Sequence, residues 1–307
     1  MDFLNELKNL KKQVFFEEKL EIPRNYDKIV IAGMGGSGIA GKIFQEMYTD
    51  KPVFALDDYH IPEFADEKTM FVAMSYSGNT EEVIAATREA IQRGCSVSAL
   101  TSGGELESIV ENVIKVPSGL QPRSSLGYML MPLINSFLKV GSEAIRKAGD
   151  LLDDLDSRNE WIKDEAEKIF ERELIPVVYG FSPYRSIAYR WKTQFNENAK
   201  VMAFSNYFPE LDHNEIIPLK QTYRKDQFRF YTFGCSTDNR ITKRIHATGR
   251  VSGIEFEHVE TPGESLVEKM FYLIHYGDYL TYHLANLRKI DPMDVSAIED
   301  LKKILKG

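Results

Sequence analysis

Short apolar runs alternate with helical periodicity along nearly the whole chain. Lys28–Ala32, Pro52–Leu56, Phe71–Met74, Cys95–Leu100 and Asn112–Val116 read as strands, and Val83, Ile84, Ala86, Ala90 and Ile91 recur at helical spacing after the third of them. A second series follows: Ile175–Gly180, Val201–Tyr207, Phe228–Phe233 and Gly253–Val259 read as strands, with Ser186–Lys200 a helix between the first two. Strands alternating with helices predict parallel sheets covered on both faces. Helices are expected over Ser124 to about Lys147 and over Ser265–Lys289. The polar, acidic segment Asp150–Arg158 reads as a boundary or the start of a linking helix, giving an N-terminal domain of residues 1–149 and a C-terminal domain of residues 150–307. The halves look like loose copies, each beginning strand, Gly- or Ser-bearing turn, helix.

Two strand-to-helix turns carry chemistry. Gly33-Met34-Gly35-Gly36-Ser37-Gly38 has the spacing Gly-x-Gly-x-x-Gly, and Asp57 and Asp58 follow the next strand, an imitation of a dinucleotide fingerprint. Ser75-Tyr76-Ser77-Gly78-Asn79-Thr80 places three hydroxyls and a glycine before a helix, and Asn79 with Glu82 resembles a capping box. A helix start offers unpartnered N–H groups and the positive end of a dipole to an anion. Two such turns suit a compact phosphorylated ligand better than a dinucleotide. Gln121-Pro122-Arg123 opens a further helix, and an Arg at a helix start is electrostatically misplaced unless an anion is near.

Composition narrows the classes. With 307 residues and 43% hydrophobic content the chain can build two cores, and its formal charge of −8 disfavours nucleic acid without excluding a phosphorylated small molecule. Cys95 and Cys235 form no Cys-x-x-Cys pair, which fits a reducing compartment. Met1–Gln13 reads as an amphipathic helix without the apolar centre of a signal peptide, and no apolar run has the length of a membrane span. A soluble, cytoplasmic protein is expected. In the second half, Glu197 stands near a helix C-terminus, where dipole and burial both raise a carboxylate's pKa and suit it to general-base work. His213 lies in the polar loop Pro209–Ile216, and His is the side chain most easily tuned for proton transfer. No His-x-His or His-Glu-x-x-His pattern indicates a zinc site.

Taken in order, the Gly33–Gly38 and Ser75–Thr80 turns, Gln121-Pro122-Arg123, Asn196-Glu197-Asn198-Ala199 and Asp212-His213-Asn214-Glu215 resemble the bifunctional phosphoglucose/phosphomannose isomerase family of archaea and some bacteria. The resemblance implies two sugar-isomerase (SIS) domains, each a parallel sheet flanked by helices in a flavodoxin-like three-layer sandwich, and a homodimer. It implies interconversion of glucose 6-phosphate or mannose 6-phosphate with fructose 6-phosphate, with no cofactor, no metal, and neither nucleic acid nor membrane as partner. Gly36, Ser37, Ser75, Ser77 and Thr80 would hold the substrate. Glu197 would move a proton between C2 and C1 through a cis-enediolate, and Arg123 would stabilise its charge. His213 would aid ring opening from the neighbouring subunit. Thr281 matches a threonine that leaves room for both C2 epimers. Seven residues on, related isomerases carry a ring-opening lysine; here stand Arg288 and then Lys289. Arg does not readily give up a proton near neutral pH, so either Lys289 takes that role or Arg288 is a fixed charge. The rival readings are an amino-sugar phosphate isomerase and a non-catalytic SIS sensor of sugar phosphates. The first would need an ammonia source or an amino-sugar pocket. The second would not need Glu197 and His213 together.

Overall fold

The computed structural model describes residues 2–234 and 238–305. Cys235 lies outside them; Cys95 is buried and unbridged, and burial pushes its thiol pKa up. The chain divides into two compact units. The first comprises residues 8–153 and 263–268, and the second comprises residues 2–7, 154–262 and 269 onward.

The N-terminal stretch forms two short helices, α1 (Phe3–Lys8) and α2 (Leu10–Val14). In the first unit β1 (Lys28–Gly33), α3 (Gly35–Met47), β2 (Val53–Leu56), β3 (Thr69–Met74), α4 (Glu81–Gln92), β4 (Ser96–Thr101), α5 (Glu105–Ile109) and β5 (Asn112–Lys115) follow in turn. All pairings are parallel and the strand order is β2-β1-β3-β4-β5. Central β3 is buried along its length and registers Ile29 with Met70 on one side and Met70 with Ser96 on the other. One face, carrying Val30, Ala32, Phe71 and Ala73, packs on Val83, Ala86 and Ala90 of α4 and Leu106 of α5. On the other, Gly41 of α3 sits so close to Ile31 that a Cβ would lie 2.8 Å from Ile31 Cγ2.

The segment expected as one helix from Ser124 to about Lys147 is broken. A single 3-10 turn, Pro122–Ser125, leads into α6 (Leu126–Phe137), and Leu138 turns extended before Gly141. The chain restarts as α7 (Ser142–Ser157), then α8 (Glu160–Glu171).

The second unit holds β6 (Ile175–Phe181), α9 (Arg185–Glu197), β7 (Phe204–Phe208), a 3-10 turn Glu210–His213, α10 (Ile216–Gln221), β8 (Phe228–Phe233), α11 (Asn239–Ser252), β9 (Glu257–Val259), α12 (Leu266–Leu287) and α13 (Ser296–Leu305), the first residues of α12 belonging to the first unit. Its strands are parallel in the order β7-β6-β8-β9. β9 is shorter than expected because Gly253, at φ +67°, ends α11 instead of opening a strand. Trp191 of α9 stacks on Tyr276 of α12 at 5.4 Å and meets Phe233 of β8 edge-on at 5.4 Å. Gly277 permits this approach, since a Cβ there would lie 2.4 Å from Trp191 Nε1. No helix among the described residues is long and apolar enough to cross a membrane.

Candidate active site

In an open parallel sheet the crevice for ligands opens at the carboxyl ends of the two strands where the strand order reverses. In the first unit those strands are β1 and β3. The turns that follow them are the two singled out by sequence, Gly33–Gly38 and Ser75–Thr80.

Two glycines of the first turn, Gly36 and Gly38, have a steric reason. A Cβ on Gly38 would lie 2.3 Å from the Gly33 carbonyl, so helix and strand could not close together. One on Gly36 would lie 2.6 Å from the Pro122 carbonyl and 2.7 Å from the Arg123 backbone, so Gly36 brings the 3-10 turn bearing Arg123 against the first turn. Arg123 is buried, with Nη1 3.4 Å from Gln121 Oε1.

Hydroxyls join the turns. Ser37 Oγ accepts from Tyr76 N–H at 3.1 Å. Ser75 Oγ accepts from Gly78 N–H at 3.1 Å and shares a hydrogen bond with Thr80 Oγ1 at 2.8 Å. Exposed Ser77 accepts from Asn79 N–H at 3.3 Å. A hydroxyl accepting an N–H still has its own proton to donate, so Ser37 and Ser77 are suited to an anion. Gly78, at φ +68°, is obligatory: a Cβ would fall 1.7 Å from the Gly103 carbonyl.

The expected capping box at Asn79 and Glu82 does not form. Asn79 Oδ1 accepts from Glu105 N–H at 3.0 Å, drawn away by the turn before α5, and α4 starts one residue later with Thr80 at its N-cap. Thr80's side chain makes no capping bond to the helix. The start of α4 therefore presents N–H groups and a positive dipole end without a side-chain acceptor of its own.

The second unit, taken by itself, carries the candidates Glu197 and His213. Glu197 ends α9 and is half-buried. Asn198, wholly buried, donates from Nδ2 to Thr281 Oγ1 at 3.0 Å, and Thr281 donates in turn to α12 carbonyls 3.0 Å away. One turn back, Arg190 meets both oxygens of Asp278 at 2.9 Å, and Gln194 donates to the same carboxylate at 2.8 Å. Arg288 Nη1 donates to the carbonyls of Ala199 and Lys200 at 3.1 and 3.2 Å.

His213 ends its 3-10 turn and is exposed. Its acidic neighbours are anchored. Asp212 accepts from Thr248 Oγ1 at 2.6 Å and Arg244 Nη1 at 3.1 Å, and Glu215 accepts from Tyr179 at 2.9 Å and Asn206 at 2.5 Å. Burial first, and then the Glu215 charge, push the Tyr179 phenol well above its ordinary pKa. Among the described residues no group of three or more His, Cys, Asp or Glu side chains converges to hold a metal.

Residues 159–305 match the model of the bacterial phospho-glucose isomerase C-terminal SIS domain. The bifunctional phosphoglucose/phosphomannose isomerase of Thermoplasma acidophilum is 57% identical over 303 residues, covering 99% of this chain and 97% of that protein. The chain belongs to the bifunctional phosphoglucose/phosphomannose isomerase family. The D-glucosamine-6-phosphate 4-epimerase of Sulfolobus acidocaldarius is 32% identical, covering 95% of this chain and 93% of that protein. A solved structure of a hypothetical protein from Thermus thermophilus shares the fold, with a TM-score of 0.77 at 15% identity, over 99% of this chain and 86% of that one.

Within this isomerase, Gly36, Ser37, Ser75, Ser77, Thr80 and Arg123 gather in the first unit. Glu197, Thr281 and Arg288 gather at the α9–α12 seam, whereas His213 stands on a separate turn of the second unit. Sequence reasoning missed the pins of this arrangement. Tyr76 donates from its hydroxyl to the Pro117 carbonyl at 2.9 Å and accepts from Leu120 N–H at 3.0 Å, tying the hydroxyl turn to the segment before Arg123. Asn198, Lys200 and Asp278 escape it too. Tyr76 and Asn198 carry a sequence signal, each as part of a motif; Lys200 and Asp278 carry none.

Proposed function

We propose that this isomerase interconverts glucose 6-phosphate and mannose 6-phosphate with fructose 6-phosphate by metal-independent proton transfer through a cis-enediol(ate). The substrate phosphate sits at the Ser75–Thr80 turn against the start of α4, with Gly36 and Ser37 lining the neighbouring turn. The Glu197 carboxylate removes the C2 proton of the open-chain aldose. The electron pair moves toward the C1 aldehyde, whose oxygen gathers negative charge beside the Arg123 guanidinium. The hydroxyl proton passes from O2 to O1, the carbon-bound proton returns to C1, and the carbonyl re-forms at C2 to give the ketose. Mannose 6-phosphate passes through the same enediolate, with Thr281 leaving room for either epimer. His213 moves the ring-opening proton from the neighbouring subunit of a cytoplasmic homodimer.

The observation that carries the reading is the Ser75–Thr80 turn at the strand-order reversal, where Thr80's hydroxyl is bonded to Ser75 and not to the helix it precedes. Substrate identity rests on family membership. The test is a coupled assay of fructose 6-phosphate formation from each aldose phosphate, with and without a chelator. Turnover of both, unchanged by chelator, is expected. The 32% identical 4-epimerase favours a second reading, action on amino-sugar phosphates. Turnover of glucosamine 6-phosphate with none of either hexose 6-phosphate would replace the first by the second.

A further inference from the structure

The turn that bears Glu197 is held more tightly than a surface helix end requires. Four consecutive residues each have a tether. The Glu197 carbonyl accepts from Lys200 Nζ at 2.7 Å, the Asn198 side chain donates to Thr281, and the Ala199 and Lys200 carbonyls accept from Arg288. Lys200 Nζ also reaches the carbonyls of Asp294 at 2.8 Å, Asp291 at 3.1 Å and Pro292 at 3.4 Å, in the segment joining α12 to α13. Two cations thus collect carbonyl oxygens at the negative end of α9, where positive charge is favoured.

Lys200 is in the left-handed region, at φ +52°. Glycine adopts that conformation freely, whereas a residue with a Cβ is strained there. A lysine in a turn where glycine would fit better implies that its ammonium is needed. A general base must hold its geometry closely, because a misplacement of about 1 Å can cost roughly 100-fold in rate.

We infer that Lys200 and Arg288 are positioning residues that fix the Glu197 turn through its backbone carbonyls, and that Arg288 takes no part in proton transfer. This rests on Glu197 being the base. It resolves the alternatives at the α12 end in favour of a fixed charge, acting on the protein and not on the sugar.

Two variants and one substrate test it. Lys200→Gly removes the ammonium while relieving the backbone, and Arg288→Met removes the guanidinium; circular dichroism fixes a temperature at which each is folded. Each should lose at least about 10-fold in kcat, with KM for fructose 6-phosphate within about twofold of wild type. Arg288→Lys keeps a donor for the carbonyls and should recover most of the loss. 5-Deoxyfructose 6-phosphate has no hydroxyl able to close a furanose or pyranose ring, so it needs no ring opening. The Arg288→Met deficit should persist on it undiminished. Disappearance of that deficit would place Arg288 in ring opening and overturn the inference. So would near-wild-type kcat in folded Lys200→Gly and Arg288→Met. If Glu197→Gln is itself active, the base assignment has failed and the inference falls with it, whereas inactive Glu197→Gln beside fully active clamp variants overturns the inference alone.

Discussion

The two sheets share one topology, yet their helix starts are furnished differently. β2-β1-β3-β4 in the first corresponds to β7-β6-β8-β9 in the second, and α4 after β3 corresponds to α11 after β8. At α4 the N-cap Thr80 gives no side-chain bond to the helix. At α11 the N-cap Asp238 accepts from Arg240 N–H at 2.8 Å, and its carboxylate pairs with the Arg240 guanidinium, which holds the Asp238 pKa below the usual carboxylate range. A carboxylate at that cap supplies the negative charge an anion would bring, and repels one. The same fold thus has two corresponding helix starts: at α11 the cap is already taken by a carboxylate, whereas at α4 the cap makes no such bond and the acids, Glu81 and Glu82, stand within the first turn. In the second unit the candidate residues stand elsewhere: Glu197 at the C-terminus of α9, and His213 on the 3-10 turn that follows β7.

Changes at the two helix starts should therefore read out differently. The largest effect is expected at the first. Ser77→Ala or Thr80→Ala removes a donor to a doubly charged phosphate and should cost roughly 1.5–3 kcal/mol of substrate affinity. Inorganic phosphate should compete with substrate in the wild type and more weakly in the variants. Unchanged inhibition in both would move the phosphate elsewhere and remove the contrast.

Acid should strain the second unit. His283 accompanies Asn159 at 2.8 Å, and burial first, with the nearby Lys163 charge, depresses its pKa to about 4. The folded state binds this proton more weakly than the unfolded chain, whose histidine titrates near about 6.5. Stability from this group is therefore full above about pH 6.5, is lost as pH falls towards about 4, and is level below that. Part of the side chain meets solvent, so the loss should be no more than about 2 kcal/mol. Denaturant melts between about pH 7 and pH 4 should show the loss, and His283→Gln should flatten it. An equal slope in the variant would assign the acid sensitivity to other groups.

The smallest effect belongs to the second helix start. Asp238→Ala should lower stability slightly, by loss of the bond that caps Arg240 N–H, and leave KM unchanged. A KM shift as large as that of Ser77→Ala would mean that both helix ends serve the substrate.

Much of this contrast is legible in the sequence, for local reasons. The apolar runs around Val30, Phe71, Val178 and Phe230 have to be central strands, because short apolar runs between turn residues leave few alternatives. The hydroxyl turn and the spacing Gly33-x-Gly35-x-x-Gly38 announce themselves because glycine and hydroxyls are chosen residue by residue. What stays hidden depends on partners distant in sequence. Asn79 reads as a cap, but Glu105 claims its side chain. The helix expected through Leu138 stops there, where the backbone turns extended. Asn198 and Thr281, 83 residues apart, meet only in the fold, and so do Arg288 and Ala199.

The central claim is that Glu197 carries the proton between C2 and C1. Glu197→Gln preserves the side chain's size and hydrogen bonding but cannot accept a proton. The direct measurement follows deuterium from D2O into C1 of fructose 6-phosphate, by NMR, starting from either aldose phosphate. Wild type should incorporate the label from both epimers. Glu197→Gln should incorporate it at least about 100-fold more slowly, with inorganic phosphate bound as in the wild type. Label entering at half the wild-type rate or more in a folded Glu197→Gln enzyme would contradict the account.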